Sequence, residues 1–182
     1  MDRYEMRLSG SGGQGLILAG KIMAEAAVIY DGRNAVQTQS YGPEARGGAS
    51  KAEVVISDGD IDYPKALSLD LLLALTQVSC AKYSKDLKEG GILIVDSGLV
   101  KELPPGDFRV YRAPITEIAL KKVGKAVVTN IVAVGILTKI AGVVSEEAVR
   151  KAILARVPKG TEELNMKAYE EGLKAAAELL GP

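Results

Sequence analysis

The chain lacks histidine, has one cysteine (Cys80), and carries no excess of either charge, with 23 Lys and Arg against 23 Asp and Glu over 182 residues. Each shortage excludes some chemistry. Without histidine there is no Ser-His-Asp or Cys-His constellation and no histidine-based zinc site. A lone thiol does not hold an iron–sulfur cluster, which takes a set of cysteines. Nor does it close an internal disulfide, as expected of a chain working in a reducing cytoplasm. No base lies near Cys80 in sequence, so it reads as a small core residue rather than a nucleophile. Neutral charge, with no basic cluster interleaved with aromatics, argues against a nucleic-acid-binding face. A near-neutral chain is not kept apart by self-repulsion, which favours a place inside an assembly.

The opening Met-Asp-Arg-Tyr-Glu shows no secretory pattern. The longest apolar stretch, residues 126–144, is interrupted by Thr129, Asn130 and Lys139. It reads as a buried helix rather than a membrane span.

Apolar residues make up 47% of the chain, enough to fill the core of one domain over residues 1–182. Periodicity predicts strands at 5–9, 35–40, 51–57, 71–75, 92–95 and 108–112. The second and third of these form a hairpin whose tip is 41–48. The run at 71–75 is continuously apolar, as in a central strand covered on both faces. Helices are expected at 14–29 and 78–87, and then at 115–123, 127–141, 145–156 and 161–180. Ser145 and Thr161 are each followed by two glutamates, a helix-start pattern that sets carboxylates near the positive end of the dipole. The sum is an α/β fold: a three-layer domain with a mostly parallel, mixed sheet and a helical C-terminal third.

The first helix is unusual. Its strongly polar positions, Gln14, Lys21 and Glu25, share one narrow stripe at 100° per residue. A helix covering one face of a sheet normally leaves half its surface to water. This one is expected to be buried on most sides, in the core or under a partner.

Two glycine-rich loops hold the candidate chemistry. Gly10-Ser11-Gly12-Gly13-Gln14-Gly15 fits the G-x-G-x-x-G spacing of dinucleotide sites, between a strand and a helix. Such a turn offers bare N–H groups and a helix dipole to an anion, an effect of roughly 0.3–1 kcal/mol. The dinucleotide reading also needs an acid at the end of the second strand. That strand offers Gln37 and Gln39 instead, and Asp31 precedes it. A tight turn with close helix packing, another phosphate-bearing group, or a partner's backbone are the remaining readings. In the second loop, Tyr41-Gly42-Pro43-Glu44-Ala45-Arg46-Gly47-Gly48, Arg46 beside two glycines suits a phosphate or carboxylate, or simply marks a hairpin tip. Asn130, inside an apolar helix, must find partners or cost about 1–3 kcal/mol, and a hydrogen bond to a neighbouring loop is expected. Ala133 and Gly135 on that helix suggest close packing. No nucleophile, metal set or acid–base pair emerges.

The same loops carry a resemblance. GSGGQG at 10–15, QTQSYGPEARGGASKAEVVIS at 37–57, GGILIVDS at 90–97 and TNIVAVG at 129–135 resemble the gamma subunit of 2-oxoacid:ferredoxin oxidoreductases, over about residues 4–180. The pairing of GxGGQG with YGPEARGG about 26 residues later is the specific part. QTQSYGPEARGG is more similar to the 2-oxoglutarate branch than to the pyruvate branch; branched-chain 2-oxoacids and aryl pyruvates stay open.

The resemblance implies a non-catalytic, non-autonomous subunit. The complex converts a 2-oxoacid and coenzyme A to an acyl-CoA and CO2, passing electrons to ferredoxin. Thiamine diphosphate with magnesium, and the [4Fe–4S] clusters, would be held by partner alpha and beta subunits and a ferredoxin-like delta subunit or domain. No cofactor would be resident in this chain, and the isolated chain is a candidate homodimer. Gly10, Gly12, Gly13, Gln14, Gly15, Arg46, Gly47 and Gly48 are the expected rim toward coenzyme A or a neighbouring subunit. The over-apolar first helix would serve as an assembly surface. A free-standing dinucleotide-dependent enzyme and a purely structural subunit are the rival readings.

Overall fold

The computed structural model describes residues 1–40 and 48–182. Among them, six strands form one sheet: β1 (Tyr4–Ser11), β2 (Asn34–Ser40), β3 (Ala49–Ser57), β4 (Leu69–Ala74), β5 (Leu87–Asp96) and β6 (Arg109–Ala113). Their order is β2-β3-β1-β4-β5-β6. The pairs β1–β4, β4–β5 and β5–β6 are parallel, and β3 runs antiparallel to both β1 and β2. The hairpin of β2 and β3 is as expected, with Ser40 opposite Lys51. Of its expected tip at 41–48, residues 41–47 lie outside the described residues.

Alternation in β1 builds both faces. Met6 and Leu8 point into the larger core, against α1 (Leu16–Glu25), α4 (Thr129–Ala141), α5 (Glu146–Arg156) and α6 (Glu162–Leu180). The opposite face packs Leu72, Leu93 and Val95 against Cys80 and Tyr83 of a single short helix, α2 (Gln77–Tyr83). Cys80 is fully buried in that smaller core, and burial pushes its thiol upward. On the same side, Glu5, Arg7 and Glu53 are buried charges. Arg7 bonds Glu53 at 3.1 Å and Asp86, and its guanidinium lies 5.1 Å from the Tyr83 ring. Burial works to raise the Glu53 carboxyl, but Lys51, the Ala66 N–H and Arg7 outweigh it and hold it below the usual range.

The C-terminal third is helical, beginning with α3 (Ile115–Ile118). α4 is buried along nearly its whole length, and no described helix is long and apolar enough to cross a membrane. It crosses α6 through two glycines. A Cβ on Gly135 would stand 2.4 Å from the Tyr169 carbonyl oxygen, and one on Gly172 would stand 2.2 Å from that of Val132. Ser145 caps α5 by accepting from the Ala148 N–H at 3.1 Å, as its sequence predicts. Thr161 makes no such cap on α6.

Three of the boundaries that differ from expectation have a clear local reason. α1 starts at Leu16 rather than Gln14, because Gly15 sits at φ 73° and cannot continue a right-handed helix. It runs on through a π turn, Ala26–Tyr30. β5 begins at Leu87, five residues before the apolar run, with a register shift against β4 and Gly90 at φ 72°. The 78–87 helix is shorter, because Thr76 and Ser79 close a capping box that starts α2 at Gln77 and the chain re-enters the sheet at Leu87.

Candidate functional site

The carboxyl ends of β1, β4, β5 and β6 share one rim of the sheet, where open α/β folds accept ligands. Most of the polar side chains there are committed to the fold. Asp96 accepts the Gly98 N–H at 2.8 Å, the Thr116 N–H at 2.9 Å and the Thr116 hydroxyl at 2.6 Å. Gln77 donates to the Glu102 carbonyl and accepts from the Lys101 and Glu102 N–H groups.

The Gly10–Gly15 motif is different. Its first two residues still belong to β1, opposite Ser50 and Ala49 of β3. The chain then turns, and the Gln14 side chain folds back so that its Oε1 accepts the Ser11 N–H at 2.7 Å. That side chain occupies the space over Gly10, where a Cβ would stand 2.2 Å from Oε1 and 3.2 Å from Leu75 Cβ. Gly15 is fixed from the other side. Its carbonyl accepts Asn130 Nδ2 at 3.1 Å, and a Cβ there would stand 2.5 Å from the same nitrogen. Asn130 Oδ1 accepts the Ile131 N–H at 3.0 Å, so the amide ties the turn to the start of α4. This is the expected structural hydrogen bond to a loop, and the loop is the motif itself.

The two middle glycines have no such internal cause. Gly13 needs its positive φ of 86°, but no described residue lies within 4 Å of where a Cβ would project. Gly12 has no positive φ, and among the described residues a Cβ there would have no neighbour within 4 Å. Both are exposed. The described residues require Gly10 and Gly15, and leave Gly12 exposed. Behind the turn, α1 starts with no side-chain cap.

The ladder brings Gly48, the last residue of the second loop, to the same rim. Ser11 pairs with Ala49, so Gly48, immediately before Ala49, follows the strand out beside the turn. Gly48 is half-buried. Arg46 and Gly47 lie outside the described residues.

The dinucleotide arrangement is absent from this geometry. β3 separates β2 from β1, so the strand after α1 does not pair with the strand before it. Asp31 accepts the Ser145 N–H and hydroxyl, each at 2.7 Å, beyond the far end of α1 from the turn. Among the described residues, no three His, Cys, Asp or Glu side chains gather as a metal site would need.

The expected role of the first helix as an assembly surface needs correction along most of its length. Leu16, Ala19, Ile22 and Met23 are buried within this chain, against the sheet, α4 and α5. Of the proposed polar stripe, Lys21 is exposed and Glu25 bonds Arg156. The part left apolar and exposed is Val28, Ile29 and Tyr30.

The model of the family described as pyruvate ferredoxin/flavodoxin oxidoreductase matches residues 5–175. The chain belongs to this family. Within it, the chain is 53% identical to the 2-oxoglutarate synthase subunit KorC of Methanocaldococcus jannaschii, covering 97% of this chain and 96% of that one. It is 53% identical to the protein of the same name in Methanothermobacter marburgensis, over 93% of this chain and 95% of that one. The solved gamma subunit of a keto/oxoacid ferredoxin oxidoreductase from Geobacter sulfurreducens superposes with a TM-score of 0.92 at 57% identity, covering 98% and 99% of the two chains. The α/β fold and the gamma-type resemblance read from the two loops are those of this family.

Proposed function

We propose that this chain, as one gamma-type domain over residues 1–182, is the non-catalytic subunit of a 2-oxoacid:ferredoxin oxidoreductase complex acting on 2-oxoglutarate. The substrate assignment rests on the likeness to subunits named 2-oxoglutarate synthase over nearly their whole length. Thiamine diphosphate, magnesium and the [4Fe–4S] clusters belong to the alpha and beta subunits and a ferredoxin-like delta subunit or domain. A chain with no histidine and one buried cysteine fits that division. The working place is the cytoplasm.

Within the complex, Gly10, Gly12, Gly13, Gln14 and Gly15, with Arg46, Gly47 and Gly48, form the rim that admits coenzyme A. The observation that carries this is Gly12. Among the described residues nothing requires a glycine there, which leaves the space over it open to what approaches from outside. A bare peptide and an uncapped helix start present N–H donors and positive potential to a phosphate. Gln14 and Asn130 hold the turn in shape, and Arg46 would add a fork for a phosphate oxygen.

Gly12→Ala separates this from a purely structural turn. Alanine fits the open space, so stability should hold or rise by about 0.4–1 kcal/mol. In the assembled complex, Gly12→Ala and Arg46→Ala should each raise the coenzyme A concentration needed for half-maximal ferredoxin reduction. Unchanged coenzyme A dependence in both variants, with assembly intact, removes the anion role and leaves a subunit contact.

A further inference from the structure

The end of the sheet opposite the glycine turn carries a polar insertion. From Leu69 to Leu71, β4 advances two positions, while its partner β5 advances five, from Leu87 to Ile92. The surplus leaves the ladder as a bulge, Lys88-Glu89-Gly90-Gly91, with Gly90 at φ 72°. The bulge does not fill the core, since residues 88–90 are exposed. Polar bonds hold it in place. The Gly90 N–H donates to the Asp107 carbonyl at 2.7 Å, and Lys88 Nζ donates to Asp70 at 2.8 Å. Bulges recur beside functional sites, where they re-aim side chains.

Between this bulge and the end of α4 lies a pit of about 240 Å³, lined also by Tyr4, Asp70, Arg109, Ile140 and Ala141. Lys88 and Asp70 neutralise each other at 2.8 Å. Arg109 and Glu89 do not. The Arg109 guanidinium makes one weak bond, from Nε to the Gly90 carbonyl at 3.3 Å, and reaches no carboxylate among the described residues. Glu89 lines the same pit and reaches no cation among them. Two opposite charges therefore share one small space without meeting. The Tyr4 hydroxyl is buried there with no hydrogen-bond partner among the described residues. α4 ends beside the pit at Ala141, and its carbonyl end adds negative potential.

We propose that this pit binds a small α-amino acid. The pair of unmet charges singles out the class. An anion gains the Arg109 guanidinium but meets Glu89. A cation gains Glu89 and the α4 carbonyls but meets Arg109. A zwitterion answers both. Its carboxylate takes the guanidinium fork of Arg109, and its ammonium lies toward Glu89 and the end of α4. The volume of about 240 Å³ lies below the roughly 300–1,000 Å³ of drug-sized pockets, which leaves room for a small metabolite and not for a nucleotide. Ile92, Ile140 and Ala141 give it an apolar wall that suits a short aliphatic side chain. The pit lies where β1, β5 and β6 begin, at the far end of the sheet from Gly10–Gly15, so the proposal does not depend on the coenzyme A reading.

NMR titration of the isotope-labelled, full-length chain tests this with a matched set of probes. L-alanine carries both charges, propionate lacks the ammonium, and ethylamine lacks the carboxylate. L-alanine should shift the Gly90 and Gly91 amide signals and saturate. Propionate and ethylamine should each bind at least about tenfold more weakly, the loss expected for one charge-assisted hydrogen bond. Arg109→Gln and Glu89→Gln should each weaken L-alanine binding by a similar factor. Both side chains are exposed, and the amide spectrum itself reports whether the fold holds. The absence of a saturable shift with L-alanine overturns the proposal. So does propionate or ethylamine binding as tightly as L-alanine, which makes the pit a simple ion site. L-alanine binding that survives both substitutions also overturns it, because the amino acid then binds elsewhere on the chain.

Discussion

Substitution of Asn130 by alanine tests how the glycine turn is held, and a double-mutant cycle with Gly15 gives the test its force. Asn130 is 5% exposed and makes two hydrogen bonds, one to the Gly15 carbonyl and one from the Ile131 N–H. Alanine leaves the Gly15 carbonyl with its other bond, from the Ala19 N–H at 3.1 Å, but strips the Ile131 N–H of its side-chain acceptor. Loss of a buried partner costs about 1–3 kcal/mol. At this chain length each kcal/mol moves the melting midpoint by about 2–4 °C. Gly15→Ala has two separable costs. Left-handed backbone costs roughly 1–2 kcal/mol. A Cβ at 2.5 Å from Asn130 Nδ2 adds a clash that exists only while Asn130 is present. The double variant should therefore be less destabilised than the sum of the singles, by about 0.5–3 kcal/mol. Urea denaturation of the four chains measures this. Additive effects would refute the account, since they would mean that Asn130 does not touch Gly15 in solution.

Four further outcomes follow from contacts elsewhere in the fold. Arg7→Ala should destabilise by about 1–3 kcal/mol, because Glu53 loses a buried guanidinium partner but keeps Lys51 and the Ala66 N–H; urea titration would expose a smaller loss. The Glu53 carboxyl is held low in the folded state, so its contribution is present above the ordinary glutamate range and is lost as pH falls through the lowered value. Acid titration of stability should show that loss, and Glu53→Gln should flatten it. Tyr4 is the mirror case. Burial, followed by Asp70, pushes its hydroxyl up to about 12, and that hydroxyl finds no hydrogen-bond partner among the described residues. Its share of stability is present below its ordinary value near 10 and is lost as pH rises from there toward about 12. Tyr4→Phe should be neutral or stabilising by up to about 1 kcal/mol at neutral pH and should weaken the alkaline loss. Gly172→Ala drives a Cβ into the Val132 carbonyl of α4, which has no flexible end to move, and should cost about 1–3 kcal/mol of unfolding free energy.

Much of the fold is legible in the sequence because its strongest signals are local. The apolar run of β4, the Ser145 cap and the hairpin of β2 and β3 each depend on a few adjacent residues. Sheet order does not. Nothing in a local window says that β3 inserts between β2 and β1, yet that insertion separates this glycine turn from a dinucleotide site. The apolar excess of α1 points correctly to burial on several sides. It points wrongly to a partner along most of the helix, because periodicity counts buried faces without saying what buries them. Here they are buried by α4 and α5. The candidate site divides in the same way. The motif marks the right loop, but the difference between Gly10 or Gly15 and Gly12 lies in what surrounds each Cα. The role of Asn130 needed its distance to Gly15, across 115 residues.

The most direct test of the central claim is ferredoxin reduction by the reconstituted complex. The chain should co-purify with thiamine-binding alpha and beta subunits, and the assembly should reduce ferredoxin in the presence of 2-oxoglutarate and coenzyme A. Omission of this chain should abolish the coenzyme A-dependent rate. A rate that is the same without it, or an assembly that reduces ferredoxin with pyruvate and not with 2-oxoglutarate, would contradict the account.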